Sequence, residues 1–267
     1  MSRIQSRFAS LAEAGRVALI PYITAGDSDP ALTVPLMHAL VDSGADLIEL
    51  GIPFSDPMAD GPVIQKAAER ALEFDVSLRD VLQMVAEFRQ RDNDTPVVLM
   101  GYLNPVEVMG YETFAAEAAA AGVDGVLLVD LPPEEGEAIL PLFYAQQLDP
   151  VFLIAPTSSR ERIRKICDAS RGYVYYVSLK GITGAGHLDL DAVAERLTEI
   201  REISTLPVGV GFGIKDAATA AAMGKLADAV IVGSAIVSRI DAHQGDAAGT
   251  VKAVGDFVSE LRQALDG

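Results

Sequence analysis

The stretch IELGIPFSDPMADGP, from Ile48 to Pro62, places two carboxylates where a short apolar run gives way to a loop of prolines and acids. Glu49 lies between Ile48 and Leu50, Asp60 follows in the loop, and the stretch contains no basic residue to neutralise either. On a strand, alternation puts Leu47, Glu49 and Gly51 on one face and Ile48 and Leu50 on the other, so either orientation surrounds the carboxylate with apolar side chains. Desolvation disfavours the charged form, and the Glu49 pKa is expected to rise. A glutamate titrating nearer neutrality can donate and accept a proton in one turnover, as acid–base work requires. The structural alternatives are a helix cap or an ion pair. Asp56, in FSDP, reads as turn chemistry, and DGP reads as the start of a helix from about Val63. Asp60 is the better functional candidate, because a short loop can fold it back over Glu49.

A second chemistry is carried by three glycine-bearing turns: KGITGAG from Lys180, GVGFGI from Gly209 and VGSAIV from Val232. Glycine lets backbone N–H groups approach an oxyanion closely, and the run after Gly233 can present a helix N-terminus to it. One such turn is weak evidence, since glycines in buried strands are common packing residues; three after successive strands point to a phosphate cradle. His38, His187 and His243 are scattered without metal-ligand spacing, and Cys167 sits within a helical pattern. Ser55 lacks the context of a nucleophile elbow. Lys180 is the rival, as a Schiff-base lysine or as a residue of a solvated loop.

These residues need a frame that brings loop ends together. Eight β-rich runs recur: VALIPYIT, DLIEL, PVVLMGY, DGVLLVD, PVFLI, YVYYVS, PVGVGF and DAVIVG. Most are apolar on both alternating faces, as parallel strands covered on both sides must be, and the segments between them are long enough for crossover helices. The entrances show a rhythm, with GADLI, GVDGV and LADAV alternating with TPVVL, DPVFL and LPVGV. It reads either as an internal repeat or as Gly and Pro stopping the preceding helix. The N-terminal Ile4, Phe8 and Leu11 stand at helical spacing. The expected architecture is one (β/α)8 barrel domain over residues 1–267 with an added N-terminal helix, ahead of a doubly wound open sheet.

Composition supports a packed globule: half the residues are hydrophobic and the mean hydropathy is +0.27. With 21 basic against 38 acidic residues, the net charge of −17 opposes binding to nucleic acid or anionic membranes. A bound anion must then be held by local donors. No apolar run approaches the roughly 18 residues of a membrane span, and one cysteine forms no intrachain disulfide; a soluble cytoplasmic protein is expected.

LIPYITAGDSDP, ELGIPFSDPMADGPVIQ, MGYLNPV, DLPPEE, SLKGITGAGH, VGFGI and VGSAIV occur together and in order, and on them the chain resembles the tryptophan synthase alpha subunit over nearly its whole length. The resemblance implies a lyase cleaving indole-3-glycerol phosphate to indole and glyceraldehyde 3-phosphate. It implies Glu49 as the acid–base residue and Asp60 as partner of the indole N–H. By the same carry-over Gly184, Gly213, Gly233 and Ser234 would hold the phosphate, and Thr183 would close over Asp60. Tyr175 would line the glycerol chain, and Tyr22, Met100, Leu127 and Phe212 would pack the indole. By the resemblance, Phe and Leu are the alternatives to Tyr22 and Met100. The family implies an alpha2beta2 heterotetramer with a beta subunit that holds pyridoxal phosphate, so no cofactor or metal is expected in this chain. Pro53, Asp56, Pro57, Asn104 and Pro132 would form the contact rim. Two further readings remain open: another phosphate-binding barrel enzyme, such as a sugar-phosphate isomerase or a Lys180 aldolase, and a non-catalytic activator of a partner.

Overall fold

The computed structural model describes residues 1–178, 190–211 and 213–267. Nine parallel segments make one sheet: β1 (Ala18–Thr24), β2 (Ile48–Gly51), β3 (Val97–Gly101), β4 (Gly125–Leu128), β5 (Asp149–Pro150), β6 (Leu153–Ile154), β7 (Val174–Val177), β8 (Val208–Gly211) and β9 (Ala229–Val232). Their order is β5-β4-β3-β2-β1-β9-β8-β7-β6. β5 and β6 stand at opposite ends of that order, yet only Val151 and Phe152 separate them in the chain. The Val151 N–H donates to the Val126 carbonyl (2.9 Å) on one side, and the Phe152 carbonyl accepts from the Tyr175 N–H (3.1 Å) on the other. The two segments are therefore one strand, the run PVFLI, and the sheet closes on itself as a (β/α)8 barrel. An open doubly wound sheet is excluded by that closure.

Alternation along the strands builds two cores. Outward residues, among them Ile23, Leu50, Leu99, Val126 and Val210, pack beneath the surrounding helices. Inward residues, among them Ile20, Leu47, Val98, Leu127, Val151 and Ile231, fill the barrel interior. Ile4, Phe8 and Leu11 of the N-terminal helix Arg3–Glu13 join the interior set, and the Phe8 ring lies 5.7 Å from that of Tyr173. The helix is the plug of the barrel floor. Its N-cap Ser2 donates to Asp149, and Arg3 pairs with Asp124 at 2.7 Å.

The entrance rhythm has a physical cause. Asp46, Asp124 and Asp228 each stand at the entrance of a strand and accept the backbone N–H of a residue on the neighbouring strand: Leu19 at 2.9 Å, Val97 at 2.8 Å and Val208 at 2.8 Å. Each also takes an arginine, Arg262 at 3.0 Å, Arg89 at 2.7 Å and Arg201 at 3.2 Å. Val97 and Val208 follow the prolines of the alternate motif, so both halves of the rhythm meet in one clamp. Its strength depends on burial. Arg89 and Asp124 are both buried, and Arg89 also donates to the carbonyls of Thr95 (2.7 Å) and Gly122 (2.9 Å). Arg201 and Asp228 keep 43% and 41% of their side chains exposed. Asp124→Ala strands a buried guanidinium and is expected to destabilise by about 3–5 kcal/mol. Asp228→Ala breaks a screened pair and one hydrogen bond, and is expected to lose about 1 kcal/mol. Urea unfolding of the two variants measures the difference.

Candidate active site

The ends of β1, β2, β3, β7, β8 and β9 enclose a pocket lined by Tyr22, Glu49, Asp60, Gly61, Ile64, Met100, Tyr175, Gly213, Ile214, Ile231, Gly233 and Ser234. Glu49 points inward from β2, in register with Tyr22 of β1 and Val98 of β3. It is 1% exposed, and among the described residues it makes one side-chain hydrogen bond, accepting from the Tyr173 hydroxyl at 2.7 Å. Burial pushes its pKa up to about 7, against the opposing pull of that hydrogen bond. The desolvation expected from LIEL is present.

Asp60 enters from the loop after β2. Its helix, Pro62–Leu72, starts with Pro62 at N1 behind the N-cap Gly61, an arrangement that needs no N–H from the proline. Gln65 on the first turn donates back to the Asp60 carbonyl at 2.8 Å and braces the loop. The Asp60 carboxylate accepts from the Tyr102 hydroxyl at 3.1 Å, and burial raises its pKa to about 6. No basic side chain among the described residues is ion-paired with Glu49 or Asp60. Asp56, by contrast, is exposed and bonded to Ser55, as turn chemistry predicts.

The glycine turns divide into two classes. A Cβ on Gly211 would lie 1.9 Å from the Tyr175 hydroxyl, and one on Gly51 2.1 Å from the Tyr22 hydroxyl. These glycines make room for tyrosine rings within the barrel. Gly213, at φ +80°, and Gly233 line the pocket itself. Gly233 is the N-cap of the helix Ser234–Ala242, and no side chain caps the helix's first N–H groups. Such an end favours an anion. Asp27, on the loop after β1, fixes the relation of the two pocket helices: buried, it takes Arg70 of Pro62–Leu72 at 2.6 Å, and Arg70 also pairs with Asp241 of Ser234–Ala242 at 2.9 Å.

Of the residues read from sequence, Tyr22, Met100 and Tyr175 line the pocket with the two acids, Gly213, Gly233 and Ser234. Leu127 is fully buried in the barrel interior and does not line the pocket. Thr183, Gly184 and Phe212, with Lys180 and His187, lie outside the described residues. Asp56 and Asn104 are exposed, Pro57 and Pro132 are half-buried, and Pro53 is buried. Cys167 is buried on the helix Arg160–Ala169; His38 packs 4.8 Å from the Phe88 ring and His243 bonds to the Arg239 carbonyl. No metal-holding cluster and no helix able to cross a membrane occur among the described residues. Tyr173 and Tyr102 were not singled out in the sequence. Their signals were there: Tyr173 shares the inward face of YVYYV with Tyr175, and Tyr102 directly follows β3.

Comparison with known proteins meets this geometry. The profile described as "Tryptophan synthase alpha chain" matches residues 8–266. The chain belongs to the tryptophan synthase alpha chain family. The family's alpha chain of Thioalkalivibrio sulfidiphilus is 61% identical over 266 residues, covering 100% of both chains. That of Methylococcus capsulatus is 58% identical over 266 residues, again covering 100% of both. The crystal structure of tryptophan synthase subunit alpha from Legionella pneumophila str. Paris superposes with a TM-score of 0.92 at 46% identity, covering 100% of this chain and 99% of that one.

Two outcomes follow from the pocket. A folded-state pKa above the unfolded value means that native Glu49 keeps a proton that the unfolded chain has released, so its contribution to stability falls as pH rises from about 4.5 to about 7. Glu49→Gln removes that penalty: it should stabilise by about 3 kcal/mol at pH 8 and by little at pH 4, read from urea midpoints. Gly51→Ala forces the Tyr22 ring aside and should destabilise by about 1–3 kcal/mol while weakening ligand binding in the pocket, read by unfolding and by titration with indole.

Proposed function

We propose that Glu49 and Asp60 divide the acid–base work of the alpha reaction, the cleavage of indole-3-glycerol phosphate to indole and glyceraldehyde 3-phosphate. One observation carries this reading: two carboxylates share an apolar pocket, without a cation paired to either among the described residues, and their pKa values stand near 7 and near 6. At neutral pH Glu49 is divided between its two forms, whereas Asp60 is mainly an anion.

The roles follow from that difference. Glu49, protonated, donates to C3 of the indole ring, which leaves positive charge on the ring nitrogen. Asp60, an anion, accepts the indole N–H and stabilises that charge. Loss of the proton from the side-chain hydroxyl then forms the aldehyde carbonyl; the carbon–carbon bond breaks, and its electrons return to the ring. Glu49, now a carboxylate, is suited to accept that proton. The protonated indole is its own electron sink, so the steps call for neither a metal nor a Schiff base.

Substrate placement follows the pocket's two ends. Tyr22 and Met100 supply apolar surface for the indole, with Leu127 behind them in the interior; Tyr175 lies beside the glycerol chain. Gly213, Gly233 and Ser234 offer the phosphate backbone donors at a helix end, which suits an anion in a chain of net charge −17. Thr183, Gly184 and Phe212 complete the set by family resemblance.

The partner is a beta subunit carrying pyridoxal phosphate, in an alpha2beta2 assembly in the cytoplasm. The solved tryptophan synthase of M. tuberculosis in its aminoacrylate-bound form includes a chain 37% identical to this one with a TM-score of 0.89, covering 99% of this chain and 100% of that one. Asp56, Pro57 and Pro132 stand at accessible loop positions after β2 and β4, and Asn104 on the first turn of the helix Leu103–Met109 after β3, where a partner over the pocket would meet them.

Indole release from indole-3-glycerol phosphate, with and without a beta subunit, tests the reading. Glu49→Gln and Asp60→Asn should each lower kcat by about 100-fold or more, as loss of a positioned proton donor or charge stabiliser does. Retained turnover in Glu49→Gln would remove it from the chemistry.

A further inference from the structure

Asp60 is useful to the reaction only as an anion, yet its surroundings work against the charge. Among the described residues, the titratable groups that face it are Tyr22 from β1, Tyr102 after β3 and Tyr175 from β7, with Glu49 from β2 lining the same pocket. Every one is a phenol or another acid. Burial is the main force raising the Asp60 pKa, and the Tyr102 hydrogen bond opposes it.

Tyr102 is itself held from several directions. It is 3% exposed, and its ring stacks on Phe54 at 5.2 Å between centroids. It is the N-cap of the helix Leu103–Met109, whose first N–H donates to Asp130 at 2.7 Å. Its hydroxyl accepts the Ala59 N–H at 3.0 Å, which orients the phenol proton toward Asp60. The one O–H is thereby committed to one carboxylate.

Resting on the reading of Asp60 as the partner of the indole N–H, we infer that Tyr102 is a positioning residue that keeps Asp60 ionised and turned into the pocket. The phenol touches no reacting atom; it acts through the carboxylate. Without its hydroxyl, Asp60 takes up a proton at higher pH and loses its hold on the indole nitrogen.

The test is a carbon-13 NMR titration of the Asp60 carboxyl, assigned by its absence in Asp60→Asn, alongside the pH profile of indole release in the presence of the beta subunit. In Tyr102→Phe the midpoint should rise by about one pH unit, the equivalent of one charge-assisted hydrogen bond. The acidic limb of kcat/KM should rise with it, while activity above pH 8 stays within a few fold of the parent. Incorporation of 3-fluorotyrosine at position 102 keeps the ring and the packing, provides a stronger donor, and should move the midpoint down. A midpoint that stays put in both proteins, or a loss of activity that is uniform across pH, overturns the inference. Full activity in Asp60→Asn would instead overturn the role of Asp60, and the NMR midpoint would still decide whether Tyr102 sets its charge.

Discussion

A carboxylate enclosed by the barrel, with a single phenol as its hydrogen-bond partner among the described residues, is the constraint around which the site is arranged. Burial makes Glu49 a weak enough acid to hold a proton near neutrality; a cation beside it would reverse that. Among the described residues the pocket accordingly relies on tyrosine hydroxyls rather than on lysine or arginine to satisfy its acids. Tyr173 serves Glu49 and Tyr102 serves Asp60. Arg70, on the pocket helix Pro62–Leu72, is occupied elsewhere, tied to Asp27 and Asp241.

Two further tyrosines of the pocket wall, Tyr22 and Tyr175, need space inside a barrel whose interior is otherwise filled by branched aliphatics. Gly51 and Gly211 provide it, each lying where a methyl group would overlap a phenol. Part of the glycine content of the strands therefore shapes the wall around the acids. Gly213 and Gly233 instead line the pocket, one at its wall and one at a helix end. One motif, GVGFG, contains both uses.

Much of this was legible because the physics is local. Alternation in LIEL is enough to show that Glu49 is surrounded by apolar side chains, and the length and burial of the strands are enough to suggest a barrel. Period two in YVYYV also shows Tyr173 on the face of Tyr175, but it does not show that Tyr173 reaches Glu49, a residue 124 positions away in the chain. The division of glycines between packing and pocket was illegible for the same reason, since each depends on a ring from another strand. Leu127 illustrates the converse: its position in register with Met100 is consistent with lining the pocket, yet its side chain falls wholly within the interior layer. The entrance rhythm stood between these cases, visible as a pattern but explained only when the aspartates met their neighbours' N–H groups.

The helix Arg3–Glu13 closes the floor of the barrel with Ile4, Phe8 and Leu11. With that end sealed and the interior layers filled, the described residues leave their room for a ligand at the opposite rim, so a change of packing at the floor can reach the carboxylates only by moving the strands that carry them.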